Sequence, residues 1–198
     1  MPDILKQKAV KIILKAAQKY DENLKNRSFM VIYKMRDGLD YKIINFEDNN
    51  FKHLTGQKND ISPKNFYDRC INNYLSEKDI PYPDGKTNMK LGVLPYLHEI
   101  FFLNCKIGDY FFSTGVNLKC DYVIGCKQRN LCIGLRKDRD RDIYFPCSLL
   151  NDDISQRTRP TFEVKAIFRK NKSDEYFSEY TYCKKDFDTG LKYRKKKK

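Results

Sequence analysis

Apolar residues near the N-terminus recur at helical spacing. Ile4, Leu5, Ala9, Ile12, Ile13, Ala16, Ala17 and Tyr20 alternate with lysines, predicting a core-facing helix over 4–24. The period then shortens. Phe29–Tyr33 and Tyr41–Phe46 flank Asp37-Gly38, the pattern of a β-hairpin. A turn around His53 follows, and then a helix from Ser62 to Leu75 with Ser62 as N-cap and Pro63 in the first turn. Pro81, Pro83, Asp84 and Gly85 predict a loop. Met89 to Leu103 reads as a further helix, interrupted at Pro95.

From Tyr110 the pattern favours strands. Tyr110–Ser113, Lys119–Gly125, Leu131–Leu135 and Ile143–Phe145 are short β-prone runs, and Thr161–Phe168 alternates over a longer one. Helices followed by consecutive strands predict an α+β fold with an antiparallel sheet of about four strands. With no internal repeat and no linker, 1–191 is expected to form one domain and 192–198 a basic tail.

Charge narrows the partners. The 198 residues carry a formal net charge of +13, of which six charges lie in 192–198, leaving +7 for the body. Such a balance serves solubility, and it also suits a polyanion, because Lys and Arg release condensed counterions from phosphates. No run approaches the roughly 20 apolar residues of a membrane span. The absence of an apolar leader makes a cytoplasmic location the expectation, and membrane association is not expected. Seven cysteines, an odd number without any Cys-x-x-Cys pair, read as small buried hydrophobes in a reducing compartment; no metal or cofactor is expected.

The familiar catalytic signatures are missing. There is no phosphate-cradling glycine loop, no Gly-x-Ser-x-Gly elbow, no His-Glu-x-x-His and no acidic cluster for two-metal chemistry. The alternating charges of Asp138–Asp142 read as a solvated loop, and His98 as a packing or capping residue. Metal-free RNA cleavage through the 2′-hydroxyl remains. It needs a base, an acid and cations for the phosphorane charge. His53 is the candidate base or acid. Arg157, Arg159, Lys90 or Arg136 would supply positive charge, and Ser148, Thr158 or Tyr122 a hydrogen bond to a nonbridging oxygen. Lys165 joins Lys90, Tyr122 and Arg136 as a candidate nucleic-acid contact. Each has a plainer role open to it: His53 as a structural residue, Arg157 and Arg159 as surface groups, Lys90 as helix decoration.

Phe51-Lys52-His53-Leu54-Thr55-Gly56, followed by Asn65-Phe66-Tyr67, resembles the fourth phage-associated subgroup of the Barnase–EndoU–colicin–RelE-like nucleases. Lys90-Leu91, Cys120–Gly125, Tyr144–Leu150 and Arg157–Lys170 fit the same pattern in order, so the resemblance spans roughly 28–172. It implies helices followed by a four-stranded antiparallel sheet, an RNA-cleaving site on the sheet face, and metal-independent endoribonuclease activity of a toxin-like or phage–host-conflict kind. Branches of that superfamily differ in their catalytic residues, so His53 alone is carried over; Ser148 and the arginines rest on chemistry. The alternative is a non-catalytic inhibitor or nucleic-acid-binding protein on the same scaffold, with anti-CRISPR activity as one example. RNA is the expected partner, with a host or phage protein as the other.

Overall fold

The computed structural model describes residues 5–112 and 118–188. The N-terminal helix and hairpin form, but the helix begins at Lys6, leaving Leu5 exposed rather than core-facing, and Ile4 lies outside the described residues. Helix α1 (Lys6–Asn23) buries Ala9, Val10, Ile13, Ala16, Ala17 and Tyr20, and β1 (Arg27–Met35) and β2 (Gly38–Asn45) form the hairpin.

The histidine segment is a helix rather than a turn. In α2 (Asp48–Thr55) the side chain of Asn50 accepts from the Glu47 N–H at 2.9 Å, and Phe51, Leu54 and Thr55 are buried. Gly56 ends it at φ 76°, a left-handed conformation that favours glycine. Helix α3 (Pro63–Ile71) starts on Ser62, whose hydroxyl accepts from the Asn65 N–H at 3.3 Å. Helix α4 (Gly85–Val93) begins earlier than the pattern suggests. The Asp84 carboxylate accepts from the Thr87 N–H at 2.7 Å and so turns the Pro-rich loop into a helix start. Pro95 then tightens the chain into a 3-10 segment, Leu94–Phe102.

The remaining strands are β3 (Lys106–Tyr110), β4 (Tyr122–Cys126), β5 (Leu131–Lys137), β6 (Tyr144–Asn151), β7 (Thr158–Asn171) and β8 (Glu179–Cys183). The expected sheet of about four antiparallel strands is corrected to a mixed eight-stranded sheet in the order β1-β2-β6-β5-β4-β3-β7-β8. The hairpin is its missing part. β1 pairs with β7 as well as β2, and β2 meets β6 in parallel at Ile44 and Tyr144, so the pairings close into a circuit that β8 extends. β7 is long enough to pair with β3 through its first half and with β1 and β8 further on. Gly108 permits the β3–β7 approach, because a Cβ there would lie 2.2 Å from the Pro160 carbonyl oxygen.

Aromatic rings fill the space between helices and sheet. Tyr20 meets Phe51 at 5.1 Å, Phe46 at 5.9 Å and Tyr67 at 5.9 Å between centroids, while Phe29 stacks on Phe101 at 4.3 Å. The Tyr20 hydroxyl donates to the Glu47 carbonyl at 2.7 Å, tying α1 to the start of α2. That contact fixes the helix carrying His53. The Ser113 end of one expected strand and the tail over 192–198 lie outside the described residues.

Candidate active site

Because Phe51 and Leu54 take the buried side of α2, His53 falls on its exposed side in the last turn. It opens on a cleft of about 580 Å³ between α2 and the outer face of β5 and β6. Arg136, Arg139, Arg141, Phe145 and Cys147 line the other walls. Arg136 and Phe145 are partners across β5 and β6, which sets a cation beside an aromatic ring on one sheet face. The Lys119 carbonyl accepts from Arg136 Nε at 2.7 Å and from Nη2 at 2.5 Å. This orients the guanidinium, and Arg136 has no ion-pair partner among the described residues. Arg141 is instead held by Asp138 at 3.1 Å and lies 5.7 Å from the Phe145 ring centre.

A second hollow of about 250 Å³ is lined by Lys90, Ser148 and Arg157 with Leu150 and Asp152. Lys90 links this hollow to the end of α2. Its amine donates to the His53 carbonyl at 3.1 Å, satisfying a group left open at the end of α2. Gly56 allows this twice over: it adopts the left-handed conformation, and a Cβ there would sit 2.8 Å from Lys90 Cδ. Ser148 is buried on β6. Arg157 is paired with Asp152 at 2.5 Å, so its charge is already partly answered.

Electrostatics follow from this crowding of cations. Desolvation first, then the charges of Lys52, Lys90 and Arg136, hold the His53 imidazole below its ordinary range and keep it neutral near pH 7. Burial likewise lowers the Lys90 ammonium. Cys147, on the cleft wall, is lowered chiefly by the Cys120 thiol that donates to it, with Arg136 adding to the effect.

Of the residues singled out from sequence, His53 and Arg136 share the cleft, and Lys90, Ser148 and Arg157 share the second hollow. Four others line neither. Arg159 stacks 4.6 Å from the Phe111 ring centre, and Lys165 pairs with Glu163 at 2.6 Å. Tyr122 packs edge-on to Tyr144 at 5.4 Å, with the Lys42 ammonium 5.2 Å from its ring centre. Thr158 is buried and donates to the Ile154 carbonyl at 3.0 Å. Sequence reading passed over Arg139, Arg141 and Phe145. The alternating charges of Asp138–Asp142 resembled a solvated loop, and only the β5–β6 pairing shows that this loop folds back toward His53.

Among the described residues no three His, Cys, Asp or Glu side chains gather in an arrangement suited to a metal ion. No helix among them is long and apolar enough to cross a membrane.

An exposed imidazole sharing an open cleft with guanidinium groups is an arrangement suited to phosphodiester chemistry. The family model described as phage-Barnase-EndoU-ColicinE5/D-RelE like nuclease 4 matches residues 12–185, and the chain belongs to that nuclease family. No curated protein and no solved structure gives a significant match.

Proposed function

We propose that the protein is a metal-independent endoribonuclease that cuts RNA by attack of the ribose 2′-hydroxyl, acting in phage–host conflict. The observation that carries this reading is the neutral, exposed imidazole of His53 in a cleft walled by Arg136, Arg139 and Arg141. A neutral imidazole accepts a proton, so His53 acts as the base. It removes the 2′-hydroxyl proton as that oxygen bonds to phosphorus. Arg136, oriented by the Lys119 carbonyl, faces the nonbridging oxygens. As the bond from phosphorus to the 5′-oxygen breaks, the Lys90 ammonium protonates the departing oxygen. Its lowered affinity for protons makes it a better donor than an ordinary lysine. The products are a 2′,3′-cyclic phosphate and a 5′-hydroxyl.

The binding-only alternative predicts an imidazole buried against Phe51 and Leu54. The exposure of His53 favours catalysis instead.

The pH dependence of cleavage tests the assignment of the base. His53 has to be neutral, so kcat/KM falls as pH drops through its folded-state pKa, which lies below the ordinary 6.5. We expect an acid limb centred below pH 6.5. In Arg136→Met that limb moves upward, because one cation opposing protonation is gone, and the plateau falls. A limb centred at or above pH 6.5, or a limb unmoved in Arg136→Met, removes His53 from the role of base.

A further inference from the structure

A second basic feature lies outside the His53 cleft. Lys8, Lys11, Lys15 and Lys19 recur at spacings of three and four, forming one stripe along α1. Lys8, Lys11 and Lys15 are exposed and have no ion-pair partner among the described residues, whereas Lys19 pairs with Glu22 at 2.9 Å. The stripe rims a groove of about 450 Å³ between α1 and the 3-10 segment Leu94–Phe102. Its floor is apolar, formed by Ile12 and Ala16 on the flank of the helix. Tyr96 and His98 form the opposite wall.

Tyr96 is 39% exposed, and the Arg129 guanidinium lies 4.6 Å from its ring centre. Arg129 also pairs with Glu99 at 2.8 Å, which neutralises the one carboxylate lining the groove. Lysines along one rim, an apolar floor and an exposed aromatic wall are the elements by which single-stranded nucleic acids are held. Cations follow the phosphates while bases stack on rings.

We infer that this groove is a binding site for single-stranded RNA, holding a nucleobase against Tyr96 with the flanking phosphates on Lys8, Lys11 and Lys15. An acidic protein would answer the lysines but would leave the apolar floor and the aromatic wall without a role. The inference deepens the RNA reading of the His53 cleft by adding a contact that does not touch the reacting bond.

The test uses the full chain carrying His53→Ala, so that RNA stays intact, and fluorescence anisotropy with an end-labelled single-stranded 12-mer. Adding Lys11→Glu and Lys15→Glu should weaken binding at least about tenfold and flatten its salt dependence. Adding Tyr96→Ala should weaken binding of the single strand about tenfold while leaving a duplex of the same sequence unaffected. Unchanged affinity in both variants overturns the inference. So does equal competition by poly-glutamate that is indifferent to Tyr96. With His53 restored, the groove variants should cut a dinucleotide at the wild-type rate and raise KM for the 12-mer. Loss of binding in a protein that cuts no RNA would leave the groove standing and remove the nuclease reading alone.

Discussion

Replacing His53 with alanine is expected to lower RNA cleavage at least about a hundredfold, the usual scale for losing a positioned acid–base group. The side chain is exposed on the last turn of α2, and no hydrogen bond within the described residues depends on its ring. The contact that ties His53 to Lys90 uses the backbone carbonyl, which alanine keeps. The variant should therefore unfold at the same denaturant midpoint as the parent. Activity and stability would separate cleanly. Turnover on a purified RNA, set beside a urea melt, provides the check. Equal turnover excludes His53 from the chemistry, and a large drop in midpoint would reassign it to structure.

Phe51→Ala should act on stability first. Phe51 lies two residues before His53 and is fully buried, with its ring 5.1 Å from Tyr20 and 5.7 Å from Tyr67. Removing a buried phenyl from such a cluster costs about 3–5 kcal/mol, combining lost burial with the cavity left behind. That is a large part of the stability of a typical domain. The denaturant midpoint should fall sharply with little change in slope. Cleavage should fall too, because α2 is held against α1 and α3 by this ring and the Tyr20–Glu47 hydrogen bond. Phe51→Leu, which keeps most of the volume, should recover much of both. A Phe51→Ala protein as stable as its parent would show that the cluster does not anchor the helix.

Elements whose signals are local were legible in the sequence. The period of α1, the Asp37-Gly38 hairpin and the Ser62-Pro63 start of α3 each depend on residues within a few positions of one another. Other features depend on distant partners. The closing of the sheet rests on β1 pairing with β7 across more than a hundred residues and on one parallel meeting of Ile44 with Tyr144. No alternation within either strand encodes that. Helix α2 is short, and its capping by Glu47 and Asn50 resembles ordinary loop chemistry until the burial of Phe51 and Leu54 is known.

The candidate site divides the same way. His53 stood out because histidine is rare here and the Phe51–Gly56 segment around it carried a resemblance. Arg136 was one of several plausible cations, and its place opposite His53 comes from the register of β5 against β6. Arg157 and Arg159 are neighbours in sequence yet part company. The first turns to Asp152 beside Lys90 and Ser148, and the second to Phe111. Phe145 lay inside the Tyr144–Leu150 segment of the resemblance, yet nothing in the sequence gave it a role at the site. Only its pairing with Arg136 marks it as part of the wall.

Ribonuclease chemistry run by side chains alone leaves a signature in its products. Purified protein incubated with a defined RNA in excess EDTA, followed by analysis of the new ends, reads it directly. The account predicts cutting that persists in the chelator, yields 2′,3′-cyclic phosphate and 5′-hydroxyl ends, and stops at a 2′-deoxy nucleotide. Cutting that requires a divalent ion, or that leaves 3′-hydroxyl and 5′-phosphate ends, would contradict it.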